Sequence, residues 1–270
     1  MILFDSHCHL DFPEFDRDRP ELLAQCAQGH IVHFCIPVTR RRDWSRLEAV
    51  VNGGQSGVSL WGALGLHPCF MADHSGPDLE LLDRRLALRS AAIVAVGEVG
   101  LDLYSGGTDL NEQRSLLQAQ IEIAKNHRLP LILHVRKGHD QTAQLLRASR
   151  FSHGGVVHAW SGSDQQAVAF VKLGFRLGIG GSLTWPRAAR LRRQVASFAL
   201  DSFVLETDSP DMPAQGECGR RNTPLTLLRV LDVMAVLRKS TPQDLWPPLL
   251  RNSCQAYHLP DRHFETAARY

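Results

Sequence analysis

Several features that define other classes of protein are absent from this 270-residue sequence. Its six cysteines include no C-x-x-C pair, so we expect reduced and mostly buried thiols rather than a thiol-based metal or redox motif. No apolar run approaches the roughly 20 residues that a membrane helix requires. The first residues show neither the basic region nor the long apolar stretch of a secretory signal. These absences predict a cytoplasmic protein without a membrane segment.

An excess of charge of one sign is also lacking. Thirty Lys and Arg residues oppose 28 Asp and Glu residues, which gives a formal net charge of +2. A dedicated duplex-DNA binder usually carries a concentrated basic surface. The composition therefore neither requires nor excludes an anionic substrate, and it points to no obligate protein partner. With 44% hydrophobic and 21% charged residues, the chain has the composition of an ordinary globular protein.

Short apolar segments alternate with longer amphipathic ones along the whole chain. Eight segments have the length and composition of strands, namely 2–4, 31–36, 58–64, 92–97, 130–135, 155–160, 175–180 and 202–207. Helices are predicted over 20–29, 41–51, 78–90, 110–128, 140–149, 163–173, 186–198, 222–238 and 242–257. Continuously apolar strands fit a parallel sheet that is buried on both faces. The pattern predicts one domain over residues 1–270, a (β/α)8 TIM barrel, with a doubly wound open sheet as the alternative.

Histidines and carboxylates recur where these predicted strands end. His7 and His9 follow the first strand, and their side chains share a face because residues two apart point the same way in an extended chain. Later strands end in or near His67, Glu98, His134, His158, Glu206 and Asp208. Active sites of (β/α)8 barrels lie at the carboxyl ends of the strands. We therefore expect these side chains to meet at one rim.

Histidine nitrogens and carboxylate oxygens are typical ligands of catalytic metal ions, which keep one position open for water or substrate. The six candidate ligands are His7, His9, Glu98, His134, His158 and Asp208. Six ligands exceed the need of one open tetrahedral ion, so the sequence predicts two divalent ions. Asp208 can join His7 and His9 because strand 8 neighbours strand 1 in a closed barrel, and Glu98 can bridge. Zn, Mn, Mg, Ni and Co are all compatible with these ligands.

The sequence leaves the role of Glu206 open and indicates a structural role for several histidines. Glu206 has the same parity as Asp208, and it is either a buried carboxylate held by hydrogen bonds or an acid beside the ions. An isolated histidine is usually a hydrogen-bonded structural residue. This interpretation applies to His33, His127, His139, His153 and His263.

Seven motifs along the chain resemble those of the TatD-type metal-dependent deoxyribonucleases, a branch of the amidohydrolase superfamily. They are DSHCHLDF (5–12), ALGLHP (63–68), AVGEVGLD (95–102), LPLILHVRKGHD (129–140), GVVHAWSGS (155–163), GIGGSLTWP (178–186) and VLETDSPDMP (204–213). They occur in the order and with the spacing of that family. Val135 and Trp160 depart from its common pattern, and these changes bear on the shape of the pocket.

The resemblance implies a role for each matching residue. His7, His9 and Asp208 look like ligands of the first ion, and Glu98 looks like the bridging carboxylate. His134 and His158 look like ligands of the second ion. Asp208 and Glu206 are the expected catalytic carboxylates, of which Asp208 handles a proton. His67 and Arg136 are similar to residues near the substrate phosphate. Independently of the resemblance, Arg136 and Arg221 offer fork-like contacts to phosphate, and a solvated loop charge is the alternative for each.

The implied activity is that of a phosphodiesterase, a 3'-5' exonuclease-like deoxyribonuclease. Its expected substrate is a DNA end, a single strand or a small phosphoester, attacked by a hydroxide that bridges the two ions. An alternative is a metal-dependent amidase, lactonase or deacylase on the same barrel, for example one that acts on acylated tRNA. A non-catalytic, metal-stabilised binding protein is a further alternative, which would need a coordinatively closed site.

Overall fold

The computed structural model describes residues 1–54, 57–105 and 109–260. Its eight strands form one sheet in which the spatial order follows the chain order, and each strand pairs in parallel with the next. The strands are β1 (Leu3–Asp5), β2 (Ile31–Pro37), β3 (Ser59–Leu64), β4 (Ile93–Asp102), β5 (Leu131–Arg136), β6 (Gly155–Val157), β7 (Phe175–Ile179) and β8 (Phe203–Leu205).

Backbone hydrogen bonds also connect the last strand to the first. The Ser6 amide donates to the carbonyl of Leu205 at 2.9 Å, and the Asp208 amide donates to the carbonyl of His7 at 2.8 Å. The sheet is therefore a nearly closed barrel, so the predicted (β/α)8 fold is confirmed and the open sheet is not adopted.

Helices connect the strands on the outside of this barrel. They are α1 (Arg19–Gln28), α2 (Trp44–Asn52), α3 (Gly76–Ala87), α4 (Leu110–His127), α5 (His139–Ala148), α6 (Asp164–Lys172), α7 (Ala189–Ser197), α8 (Thr226–Arg238) and α9 (Pro242–Ala256). Several begin at a residue that the sequence marks as a cap: Ser163 and Gln166 form a reciprocal capping box at the start of α6. Across the described ranges, no helix combines the length and the apolar character needed to cross a membrane.

Apolar side chains form two layers, one on each side of the sheet. The larger layer packs the helices against the outside of the barrel. The smaller one fills the barrel interior and includes Ile132, Val156 and Val204. His134 and His158 lie two residues after the first two of these, so they share the inward face and continue it upward as a polar layer. The position of the site therefore follows from the strand pleat.

Three strands differ from their predicted bounds by more than one residue. β6 ends at Val157 rather than at residue 160, and β8 spans Phe203–Leu205 rather than 202–207. β4 was expected to end at residue 97 and to be followed by Glu98, but it continues to Asp102. The extension forms because Val99 to Asp102 pair with β5, after an irregularity in register between Val96 and Val99. Glu98 consequently lies inside the strand, and Asp102 occupies its carboxyl end.

Candidate metal centre

Four side-chain atoms that follow β1, lie in β4 and follow β8 form a compact group. The Nε2 atoms of His7 and His9 lie 3.3 Å apart. Oδ1 of Asp208 is 3.4 Å from each of these nitrogens. Oε2 of Glu98 is 3.4 Å from Nε2 of His7 and 3.7 Å from Nε2 of His9. All four side chains are largely buried, and Asp208 has a left-handed backbone (φ 56°) that Asp tolerates better than most residues.

These separations match the edges of a metal coordination shell. Four ligands at about 2.1 Å from a tetrahedral ion lie about 3.4 Å from one another. Two imidazole nitrogens and two carboxylate oxygens at this spacing suit a divalent cation. The residues present therefore fit an ion here, as the sequence predicts.

A second group surrounds the other oxygen of Glu98. Oε1 lies 2.9 Å from Nδ1 of His134, 3.1 Å from Nε2 of His67 and 3.5 Å from Nε2 of His158. Glu98 therefore directs one carboxylate oxygen to each group. His67 is as close to this oxygen as the two expected ligands are, so it belongs to the second group as well.

Outer hydrogen bonds fix the orientation of two of these rings. Nδ1 of His9 lies 3.1 Å from the carbonyl oxygen of Pro37, so that its proton can be donated there and Nε2 is left to bind a cation. Nε2 of His134 lies 3.0 Å from Oδ2 of Asp102, which leaves Nδ1 facing Glu98. Bonds of this kind set the tautomer of a ligating histidine and increase its basicity.

Asp102 is the main site residue that the sequence predictions missed. Its carboxylate is buried and accepts hydrogen bonds from the amides of Tyr104 and Ser105, at 2.8 and 2.9 Å. Sγ of Cys69 lies 3.3 Å from Oδ2 of Asp102. Burial alone would raise the pKa of Asp102, but His134 and the other donors lower it strongly. The signal is present in the sequence, because Asp102 is the last residue of the motif AVGEVGLD, but the predicted strand ends at residue 97.

Glu206 lies behind His158 rather than among the first group of ligands. Its Oε1 accepts a hydrogen bond from the amide of Ala159 at 2.6 Å and lies 3.4 Å from Nδ1 of His158. The carboxylate fits there because residue 178 is glycine: a Cβ on Gly178 would lie 2.0 Å from Oε2 of Glu206. Of the two roles that the sequence left open, this position favours the buried carboxylate that orients a ring.

The carboxylates and the imidazole rings of the site shift each other's pKa values in opposite directions. Burial raises the pKa of Glu98, but the surrounding imidazoles, above all His67, lower it well below its usual range. Burial also raises the pKa of Asp208, but His158 and His9 lower it by more, so the net shift is downward. In return, although burial lowers the pKa values of His9 and His158, the carboxylates raise both to about 9. A cation that binds here must displace protons from these rings, so its binding is linked to proton release.

A cavity of about 610 Å³ opens beside both groups. The potential ligands that line it are His134, His158 and Asp208. Arg136 also lines it; its Nη1 lies 3.6 Å from Oδ2 of Asp102, and its guanidinium lies 4.3 Å from the centre of the Tyr104 ring. Arg136 is therefore held at the cavity with part of its guanidinium free, where the sequence predicts a contact with substrate.

Arg221 is placed differently. Its Nη1 donates to Oδ1 of Asp18 at 2.9 Å, Nη2 donates to Oδ2 of the same carboxylate, and the guanidinium packs 4.7 Å from the centre of the Phe15 ring. It does not line the cavity. The fork that was expected to contact phosphate is committed to Asp18, so the geometry gives this assignment no support.

The histidines interpreted as structural stand outside both groups. His127 bonds Asp83, with 2.8 Å between Nε2 and Oδ1, and His139 packs edge-on against Trp160 with ring centres 5.2 Å apart. His33 and His153 contact aromatic rings. His263 lies outside the described residues.

The fold and the motifs have counterparts in known proteins. A family model described as TatD-related DNase matches residues 4–258. The uncharacterized metal-dependent hydrolase YjjV of Escherichia coli (strain K12) is 40% identical over 256 residues, which cover 95% of this chain and 98% of YjjV. The 3'-5' ssDNA/RNA exonuclease TatD of Erwinia billingiae (strain Eb661) is 28% identical over 265 residues, 96% of this chain and 100% of that protein.

The solved structure of YjjV, a TatD homologue, agrees with the present one over 96% of this chain and 98% of that chain, with a TM-score of 0.91. The family model spans almost all of the described residues, and the identity to YjjV extends over nearly the full length of both chains. The chain is a metal-dependent hydrolase and belongs to the family of TatD-related DNases.

Proposed function

We propose that this protein is a phosphodiesterase that removes nucleotides from the 3' end of single-stranded DNA with the help of two divalent ions. The observation that carries the proposal is the pair of ligand groups that share Glu98 at the edge of an open cavity. The exonuclease named among its relatives supports the nucleic-acid substrate and the polarity.

The charge of the site favours a phosphate over a neutral carbonyl substrate. Two divalent ions would carry four positive charges. The carboxylates of Glu98 and Asp208 at the ions, and of Asp102 and Glu206 behind the histidines, carry four negative ones. Arg136 adds a positive charge at the cavity, so the loaded site is net positive. An ester or amide carbonyl gains less from such a field than an anionic phosphodiester does.

Each protein group has a distinct task in this proposal. Ions held by the two ligand groups would supply a nucleophilic water at neutral pH and would neutralise phosphoryl oxygens. Asp208 faces the cavity, accepts the proton of the attacking water and passes it toward the leaving oxygen. His67 and Arg136 hold the phosphate. Glu206 keeps the His158 ring in place through its Nδ1 side.

A metal-reconstituted substrate screen tests the proposal. The protein is stripped with a chelator, shown to be metal-free by elemental analysis, and reloaded separately with Zn, Mn, Mg, Ni or Co. Its substrates are bis(p-nitrophenyl) phosphate, single strands labelled at either end, carboxylic esters, amides and acylated tRNA. We expect phosphodiester cleavage and shortening from the 3' end, both only after reloading.

Two results would contradict the proposal. Full activity of the metal-free protein would refute the use of ions. Cleavage of esters, amides or acylated tRNA with no phosphodiester cleavage would instead establish the carbonyl-hydrolase alternative.

A further inference from the structure

The cavity beside the ligand groups extends well beyond them. From His134, His158 and Asp208 it reaches the segment before and at the start of α7, where Arg187 and Arg190 line it. Its volume of about 610 Å³ lies within the range of sites that enclose a whole small ligand. A single phosphodiester at the ions would occupy only the end of this space.

The lining of the cavity is strongly basic. Three arginines line it, Arg136, Arg187 and Arg190. Asp208, a potential metal ligand, is the only carboxylate in the part of this lining that the structure describes. A cleft lined by charges of one sign focuses the field and concentrates ligands of the opposite sign. The far end of the cavity therefore suits an anion that is additional to the one at the ions.

The two arginines on the α7 side are held in position without a direct ion pair. Arg187 lies 4.4 Å from the centre of the Trp185 ring. Arg190 donates from Nη2 to the carbonyl of Ser161 at 2.7 Å, which uses one of its five N–H groups. Among residues 1–54, 57–105 and 109–260, no carboxylate oxygen lies within 4.0 Å of either guanidinium, and each retains free donors.

Arg193 on the same helix shows the contrasting arrangement. It does not line the cavity, and its Nη2 pairs with Oδ2 of Asp164 at 3.1 Å. On the α7 side, the basic character of the cavity thus comes from Arg187 and Arg190, whereas Arg193 is paired with Asp164. This difference supplies a matched control on one helix.

We infer that Arg187 and Arg190 form a second phosphate subsite, which binds the phosphate next to the one held at the ions. This inference rests on the proposed function, because it assigns the substrate a polyanionic strand. Guanidinium groups bind phosphate by two parallel hydrogen bonds. The enzyme would therefore prefer substrates with at least two consecutive phosphates over single phosphodiesters.

The test compares a short single-stranded oligonucleotide with bis(p-nitrophenyl) phosphate, which has only one phosphate. In the metal-loaded double variant Arg187→Gln/Arg190→Gln, we expect kcat/KM for the oligonucleotide to fall about tenfold or more, mainly through KM. Activity on bis(p-nitrophenyl) phosphate should stay within about twofold. The log–log slope of oligonucleotide binding against salt should become shallower by about 0.7 for each phosphate that the variant no longer neutralises. Arg193→Gln should leave all three quantities unchanged.

Binding of a fluorescent phosphorothioate oligonucleotide to the metal-loaded protein provides a readout independent of cleavage. If no phosphodiester is cleaved but binding still depends on Arg187 and Arg190, the proposed function fails and the subsite stands. If the double variant binds the oligonucleotide as the wild type does, with the same salt slope, the subsite is refuted. An equal loss on both substrates would also refute it, because the arginines would then act at the ions.

Discussion

At the scale of the residue, Asp208 belongs to the first group of potential ligands and also lines the cavity. It is 3.4 Å from two histidine nitrogens, and its carboxylate also lines the space where substrate would bind. Asp208→Asn keeps the size of the side chain but removes its charge and its basicity. We expect kcat to fall by at least about 10²–10⁴-fold, the usual contribution of acid–base catalysis. Steady-state kinetics at saturating metal, with elemental analysis, measures the change.

The fold should survive this substitution because the backbone bond from Asp208 to His7 does not involve the side chain. Asp201→Asn is the matched control, since Asp201 is an exposed residue that precedes β8. Activity of Asp208→Asn within tenfold of the wild type would exclude its assigned role and turn attention to Glu206.

A second prediction concerns Asp102, which acts by orienting the His134 ring rather than on the substrate. Asp102→Asn replaces the acceptor of the His134 ring by a neutral amide, so the ring is free to reorient. Loss of such an outer partner typically costs 10–100-fold in metal affinity or activity. We expect a loss of about this size in affinity at the second group, measured by competition with a metal-binding dye.

Asp109→Asn serves as the control for this prediction. Asp109 is an exposed cap of α4 that accepts the amide of Asn111, and Asn caps a helix as well as Asp does. If Asp102→Asn binds both ions with wild-type affinity, Asp102 does not position His134.

At the scale of the element, most of the fold was predictable because the strands have short, continuously apolar segments with polar residues after them. β5 and β7 begin and end within one residue of their predicted bounds. The predicted end of β4 was wrong, since the polar residue Glu98 and the glycines around it resemble the end of a strand. Its continuation is decided by pairing with β5, which is information from another segment.

The candidate site shows the same division. Histidines at strand ends could be found from periodicity, because the barrel places every such end on one rim. Arg187 and Arg221 could not be placed in this way, since both lie in connections whose path depends on tertiary contacts. Arg221 was expected near phosphate, but nearby acidic Asp18 pairs with it. Pairings of surface charges are set by the folded loops and not by spacing in the sequence.

The helix α5 supports a prediction about pH. His139 at its start is 6% exposed and lies against Trp160, and burial lowers its pKa from 6.5 to about 4. The unfolded chain takes up this proton near pH 6.5, whereas the folded chain resists until about pH 4. The contribution of His139 to the free energy of unfolding is therefore fully present above pH 6.5. It is lost as the pH falls toward 4, by about 3 kcal/mol in total.

Urea unfolding between pH 4 and 7.5 measures this contribution. In His139→Phe, whose ring can keep the contact with Trp160, the decline in the free energy of unfolding below pH 6.5 should be smaller by about that amount. His127→Gln is the control, because its ring contacts the exposed carboxylate Asp83. Identical pH profiles for wild type and His139→Phe would contradict the prediction.

At the scale of the whole molecule, the candidate ligands connect distant parts of the chain. They come from positions 7 to 208 and from the ends or interiors of β1, β4, β5, β6 and β8. The backbone bonds between Ser6 and Leu205 and between His7 and Asp208 close the barrel at the same place. An ion that contacts both ends of the sheet is held only by the folded barrel, and its binding is therefore coupled to folding.

This coupling predicts that metal raises the thermal midpoint of the entire domain. An ion at a free concentration 100 times its Kd stabilises a protein by about 2.7 kcal/mol for each site. With an entropy of unfolding of about 2.1 cal/mol/K per residue, a chain of this length should gain about 5 °C in Tm per site. Circular dichroism and tryptophan fluorescence should report the same shift, since five strands that supply ligands must separate together.

The variant His7→Gln/His9→Gln separates the contributions of the two groups. It should lose the share of the first site and keep that of the second, because His67, His134 and His158 surround the other oxygen of Glu98. His127→Gln, outside both groups, should keep the full shift. A wild-type Tm that does not respond to any of the five ions would show that the ligand groups do not bind metal in the folded protein. A full shift in the double variant would instead place the ions elsewhere on the barrel.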